Sequence, residues 1–317
     1  MLGQPNPRTI SATKPSSSGL AAALPVDRYL QKLQEYPLES DRLAVRIENP
    51  LRLSEAERAE IMHGIRRRNF VVYEYDETNP AYQSGYRHIC RQLELEATVS
   101  NPAADEHGVT SIEVVNHPNK AAARYIPFTN QTLNWHTDGY YNNDKHAIRS
   151  FVLHCRRPAV SGGATSLIDH ELMFALLYQQ NPDWVEALAQ SDVLTIPANI
   201  ENGKTLREEF TGSVFEKDPI TGQLIMRYTE RKRHIFWKQD SVVLTALDAI
   251  KALLYDQSPW VSQLVLQPGQ GVIANNVLHH RTAFSDAGSP ATSSRKLERI
   301  RFSNRVNTAE NEETLPL

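Results

Sequence analysis

NWHTDGYYN, residues 134–142, sets His136 and Asp138 two positions apart, between aromatic residues and just ahead of Gly139. In an extended segment the side chains at i and i+2 leave the same face, so a strand over 133–138 brings this imidazole and this carboxylate to one point. Thr137 then faces away. Alone, the pair reads first as a hydrogen-bonded structural couple.

A third donor comes from far along the chain. GVIANNVLHHRTAFSD, residues 271–286, supplies His279 and His280 on another candidate strand. Two imidazoles and one carboxylate from two strands form the facial triad of a non-haem Fe(II) centre, which leaves coordination positions open. A structural zinc site would instead want a closed tetrahedral set rich in cysteine, and Cys90 and Cys155 have no partners at ligand spacing. Open positions on iron need a reductant, and a keto acid with a distal carboxylate needs a cation at the far end of the pocket. SSRKLERIRFSNR, residues 293–305, offers Arg295, Arg299 and Arg301 with the same strand parity. A guanidinium grips a carboxylate through two parallel hydrogen bonds, but parity does not rank the three.

NWHTD (134–138), SGGATSL (161–167), NNVLHHRTAF (275–284) and RKLER (295–299) occur in this order, and together they resemble the taurine dioxygenase (TauD/TfdA) family of Fe(II)- and 2-oxoglutarate-dependent oxygenases. IMRYTERKRHIFWK (225–238) is also similar to branches of it. The resemblance implies His136, Asp138 and His279 as iron ligands and Thr165 with Arg295 as the hold on the far carboxylate of 2-oxoglutarate. It implies Arg299 beside the metal-binding end of that cosubstrate or beside an anionic substrate. Many members carry glycine after the distal histidine, where this chain has His280; His279 follows Val277-Leu278 as in the family motif. The implied activity is hydroxylation of a small, anionic organic molecule by dioxygen, with release of succinate and CO2. A zinc-dependent hydrolase and a non-catalytic jelly-roll binding protein are the alternatives.

The rest of the chain accommodates this reading. From about Ile112 short strand candidates alternate with turns, among them ARYIPF, AIRSFVLHCR, ATSLID, LTIPANI and KLERIRFSNRV, as in a sandwich or barrel. The resemblance narrows this mainly β class with flanking helices to a double-stranded β-helix, or jelly roll. Helices are expected after the capping-box pair Ser54/Glu57, over 81–95, over 170–190 behind Asp169, and over 242–256. We divide the chain into a mobile lead-in (1–25), one dioxygenase domain (26–308) and an acidic tail (309–317). The domain has a helical part at about 50–97 and a jelly-roll core at about 110–307.

Apolar residues at 40 % and charged residues at 22 % suffice for a sizeable core. A net charge of −3 gives no general pull toward nucleic acid or anionic membrane, and no stretch approaches a membrane span of ~20 apolar residues. Two cysteines are too few for a disulfide framework, which suits the cytoplasm. The resemblance allows a homo-oligomer. Arg227, Tyr228, Arg231 and Arg233 read first as a solvated charge run and second as a receiver for an acidic substrate. Tyr140 and Tyr141 are candidate pocket linings. His107, His117, His146, His154, His170 and His234 have no spacing that recommends them.

Overall fold

A computed structural model describes residues 19–36, 44–99, 101–114, 125–231, 233–255, 258–287 and 294–307. Its frame is mainly β, with helices on the outside. The larger sheet has six strands in the order Ala44–Arg46, Phe70–Glu74, Gln270–Ala274, Ser150–Arg157, Lys296–Phe302 and Thr110–Glu113. The smaller has four, in the order Ser262–Leu264, Thr165–Ile168, Leu278–Arg281 and Leu133–His136. Apart from the parallel pair at one edge of the larger sheet, the pairings within these two sheets are antiparallel.

Alternation along the strands builds three cores. Val72, Phe151, Cys155, Val272 and Leu297 of the larger sheet meet Leu167 of the smaller, so the two sheets face each other across an apolar layer. On the outer side of the larger sheet, Tyr73, Val152, Ile273 and Ile300 pack against Ile61, Ile65 and Ile89. These isoleucines come from the helices Glu55–Arg68 and Gly85–Gln92. On the outer side of the smaller sheet, Trp135, Ile168 and Leu278 pack under the helices His170–Gln180, Pro182–Leu188, Ser241–Leu254 and Val26–Gln34. Burying an apolar side chain contributes about 1.5–3 kcal/mol, so these layers hold the frame on which the site is built.

Local chemistry sets the helix ends. The Ser54 hydroxyl accepts from the Glu57 amide at 3.2 Å, and the Glu57 carboxylate accepts from the Ser54 amide at 2.6 Å, a complete capping box. The reading of one helix over 170–190 is corrected: Asn181 and Pro182 divide it, with Asn181 capping the second helix through the Asp183 amide. Proline lacks the amide needed in a helix interior but fits a first turn. The strand expected at ARYIPF is, in its described part, a 3-10 turn over Ile126–Phe128, where Pro127 cannot serve a ladder. LTIPANI forms two short strands, Leu194–Ile196 and Asn199–Glu201, separated at Pro197. The helix expected over 81–95 spans Gly85–Gln92 after a 3-10 turn at Pro80–Tyr82.

Packed structure begins inside the segment assigned to a mobile lead-in. Ala21–Ala23 is a 3-10 turn, Leu24 is buried, and Glu186 accepts from the Leu20 and Ala21 amides. Residues 1–18 and 308–317, which hold most of that segment and the acidic tail, lie outside the described residues.

Candidate metal centre

His136 ends its strand and Asp138 follows where the chain turns away through Gly139, whose φ of 66° belongs to the left-handed region that favours glycine. His279 lies on the neighbouring strand directly opposite His136. One ligating atom from each of His136, Asp138 and His279 lies within 4.8 Å of the others. The imidazole centroids are 4.2 Å apart, and His136 Nε2 is 3.9 Å from Asp138 Oδ1. Phe151 of the larger sheet meets the His279 ring at 4.7 Å, which puts the cluster between the two sheets.

Both imidazoles are prepared from behind. His136 Nδ1 donates to the Asn134 carbonyl at 2.8 Å, and His279 Nδ1 donates to the Val277 carbonyl at 3.0 Å. A carbonyl only accepts, so each Nδ1 carries the proton and each Nε2 keeps its lone pair for a metal. Burial, with the neighbouring His279, pushes His136 down to about 3, and burial also lowers His279. Both rings are therefore neutral near pH 7.

Asp138 is held at backbone and side chain. Its amide donates to Asn276 Oδ1 at 2.8 Å, and Asn276 Nδ2 donates back to its carbonyl at 2.9 Å and to the Ile148 carbonyl at 2.7 Å. Asn276, at a φ of 47°, thus carries the pairing of the two ligand strands one step further. On the carboxylate, Arg301 forms a fork, Nε to Oδ2 at 2.8 Å and Nη2 to Oδ1 at 2.6 Å, while Arg299 Nη1 stands 3.5 Å from Oδ1. Burial alone would raise this carboxyl, but the Arg299 and Arg301 guanidiniums hold it well below the usual carboxylate range. Each carboxylate oxygen has two lone pairs, so the fork leaves acceptor capacity for a metal.

Arg301 is the Asp138 partner that the sequence left unranked; only the backbone turn after His136 reveals which arginine meets Asp138. Asn276 went unnoticed there, although its place between two strand segments that carry ligand candidates was a usable signal.

Arg295 sits apart, 4 % exposed, with its guanidinium carbon 4.9 Å from the Phe284 ring centroid. Among the described residues its guanidinium has no hydrogen-bond or ion-pair partner, and burial lowers it to about 10. Gly163 gives it room, since a Cβ there would come within 3.2 Å of Arg295 Nε, and its φ of 71° is again left-handed. Thr165, also buried, pairs with Arg281 on the strand of His279 and shares the inner face with Leu167 and His279. Arg281 lies over the same ring: its guanidinium carbon is 4.9 Å from the Phe284 centroid, and it donates to the Pro127 and Thr129 carbonyls at 3.2 and 2.8 Å.

His280 points to the opposite face, where its ring stacks on Trp135 at 5.4 Å. The expected solvated run at 227–233 needs correction at its start. Arg227 and Tyr228 are buried, and Arg227 pairs with Asp144 at 2.9 Å and with Glu216.

The chain belongs to the taurine catabolism dioxygenase TauD, TfdA family, whose profile matches residues 31–301. Two curated relatives are uridine-5′-phosphate dioxygenases. The one from Streptomyces sp is 28 % identical over 165 residues, 50 % of this chain and 58 % of the relative. The one from Amycolatopsis sp is 30 % identical over 162 residues, 48 % of this chain and 55 % of the relative. The alignments thus span little more than half the length of these relatives. Among solved structures, the non-heme iron oxygenase OrfP in complex with Fe, succinate and (3R,4R)-dihydroxy-L-Arg has a TM-score of 0.60 at 14 % identity, over 89 % of this chain and 92 % of that one. An asparagine oxygenase in complex with Fe(II), 2S,3S-3-hydroxyasparagine and succinate has a TM-score of 0.57 at 14 % identity, over 87 % and 90 % of the two chains. At such identities the likeness concerns the fold.

Proposed function

We propose that the chain is an Fe(II)- and 2-oxoglutarate-dependent dioxygenase that hydroxylates a small, anionic organic substrate. The observation that carries this reading is the triad itself, two neutral imidazoles and one ionised carboxylate whose ligating atoms cluster within 4.8 Å between the sheets. That donor set fits Fe(II) with coordination positions left open. Family membership supports the same reading, and the phosphate in the names of the two curated relatives supports an anionic substrate. The two facing sheets support a double-stranded β-helix, or jelly roll, as the frame. Two buried free cysteines suit a reducing compartment such as the cytoplasm.

Here His136, Asp138 and His279 hold the iron, and Thr165 with Arg295 holds the far carboxylate of 2-oxoglutarate. Arg299 faces the metal-binding end of that cosubstrate or the negative charge of the substrate. Bound together, iron and 2-oxoglutarate supply the oxidation of a C–H bond by dioxygen, with succinate and CO2 released. The residues of the chain supply orientation. The Asn134 and Val277 carbonyls fix the imidazole tautomers, Arg301 fixes the Asp138 rotamer and keeps it ionised, and the unpaired Arg295 offers two parallel donors to a carboxylate. Phe151 and Leu167 line the inner wall with apolar surface.

The test uses anaerobic protein given Fe(II) and 2-oxoglutarate. A visible charge-transfer band is expected, together with succinate on admission of air, and His136→Ala should lose both the band and the iron. Preferential retention of zinc, or a variant that keeps its iron, would overturn the reading in favour of a zinc hydrolase or a binding module.

A further inference from the structure

Arg207 and Arg231 are half-buried, stand close together and have no carboxylate partner among the described residues. Some other arginines of this chain meet acids, as Arg149 forks Asp218 at 2.6 and 2.8 Å and Arg227 meets Asp144 and Glu216, while the buried Arg281 and Arg295 meet none among the described residues. Arg207 ends the hairpin of Asn199–Glu201 and Lys204–Arg207, and its donors go to the Pro197 and Glu208 carbonyls at 2.6 and 2.9 Å. Arg231 donates from Nη1 to the Tyr140 hydroxyl at 3.1 Å and from Nε to the Arg233 carbonyl at 2.7 Å. These contacts satisfy hydrogen bonding but leave both positive charges uncompensated among the described residues.

Two tyrosines join these arginines into one cluster. The Arg207 guanidinium carbon lies 5.2 Å from the Tyr141 ring centroid, and the Tyr141 and Tyr140 rings meet edge to face at 4.9 Å. The contacts therefore run Arg207, Tyr141, Tyr140, Arg231. Partial burial lowers Arg207, and the positive charge of Arg231 pushes the same way. Two like charges are thus held within reach of each other.

The cluster also stands beside the triad. Tyr140 and Tyr141 follow Asp138 through the turn at Gly139. Thr229 bridges to His136, Glu230 donates from its amide to the Trp135 carbonyl, and Arg231 comes next. Tyr141 lies within electrostatic reach of Arg299 and Arg301, and Arg299 has a buried Nε with no partner.

We propose that Arg207 and Arg231, with the hydroxyls of Tyr140 and Tyr141, bind a phosphate monoester on the substrate. The proposal rests on the oxygenase reading above and names the chemistry of its substrate. A phosphate monoester carries about 1.5–2 negative charges at neutral pH and three acceptor oxygens, which two guanidiniums and two phenols match. A carboxylate or sulfonate brings a single charge and leaves one arginine without a counter-ion. Both arginines belong to segments outside the triad strands, so the contact fixes one end of the substrate while another end reaches the metal.

The test measures binding by calorimetry to anaerobic protein loaded with Fe(II) and 2-oxoglutarate. The probes are uridine 5′-monophosphate, glucose 6-phosphate and O-phosphoserine, each beside its unphosphorylated counterpart. At least one monoester should bind while its counterpart does not. Arg207→Gln and Arg231→Gln should each weaken it about tenfold or more, the double variant by about a hundredfold, with Arg→Lys recovering part of the loss. The charge-transfer band, read in the same samples, separates the two levels of the argument. A band in the wild type with no monoester bound, or with unchanged affinity in both Gln variants, overturns this proposal and leaves the oxygenase reading standing. Absence of the band in the wild type overturns that reading.

Discussion

The two faces of the larger sheet bury polar groups in opposite ways. On the outer face His154 is fully buried and fully occupied, with Tyr73 and Tyr75 hydroxyls at 3.2 and 3.3 Å from its two nitrogens. Gly271 makes this possible, since a Cβ there would lie 2.3 Å from the Tyr73 hydroxyl. On the inner face, toward the smaller sheet, Arg295 is also buried yet has no hydrogen-bond or ion-pair partner among the described residues, and His136 and His279 of the facing smaller sheet each leave one ring nitrogen without a hydrogen bond. Burying a charge without a partner is costly, so this unused bonding capacity fits the ligand-binding roles proposed above. The outer face spends its capacity on stability.

The sharpest break of this contrast is Arg295→Ala. Removal of a charge-assisted pair of hydrogen bonds corresponds to about 1.5–3 kcal/mol, so the KM for 2-oxoglutarate should rise by roughly ten- to a hundredfold. Because the guanidinium abandons no hydrogen bond or ion pair among the described residues and loses only its contact with the Phe284 ring, thermal stability should change by no more than about 1–2 kcal/mol. Steady-state kinetics and a melting curve check both parts; lost stability with an unchanged KM would make Arg295 a structural residue.

The outer face should respond to pH instead. Burial lowers His154 from 6.5 to about 4. The folded state therefore resists protonation, and the unfolded chain binds that proton first. Its contribution is complete above pH 6.5 and declines by ~1.4 kcal/mol per unit as pH falls toward 4. Urea unfolding at pH 7.5 and 5.5 should show this decline, shallower by about that amount in His154→Gln. An identical slope in the variant would assign the acid sensitivity to other groups.

The smallest effect tests the direction in which neighbouring residues point. His280→Ala should leave metal affinity within about twofold, and should remove about 0.5–1.5 kcal/mol of stability with its stack on Trp135. Iron titration and denaturation measure the two. A large loss of iron would bring His280 into the metal centre.

The sequence carried the triad because its spacing is local: His136 and Asp138 are two residues apart, and His279 sits in a motif of its own. It could not rank Arg295, Arg299 and Arg301, since parity is shared and only the turn at Gly139 decides which of them Asp138 meets. The strand pattern gave the sheets but not their breaks, which Pro127, Asn181-Pro182 and Pro197 impose through backbone geometry. The Arg207 hairpin was illegible for another reason. Its residues are largely exposed, so burial leaves no periodic trace, and the meaning of Arg207 appears only once Tyr141 lies under it.

The strand Lys296–Phe302 lies inside the larger sheet, between Ser150–Arg157 and Thr110–Glu113. Both neighbours emerge from the ribosome long before the segment that must slide between them. Until then each presents an open edge, and the arginines that serve Asp138 are still to be synthesised. Closure depends on contacts distant in sequence, so refolding should be slow and prone to intermolecular strand pairing at high concentration. The Arg301 fork on Asp138 can form only after translation has passed Arg301, so the proposed metal site is complete only then.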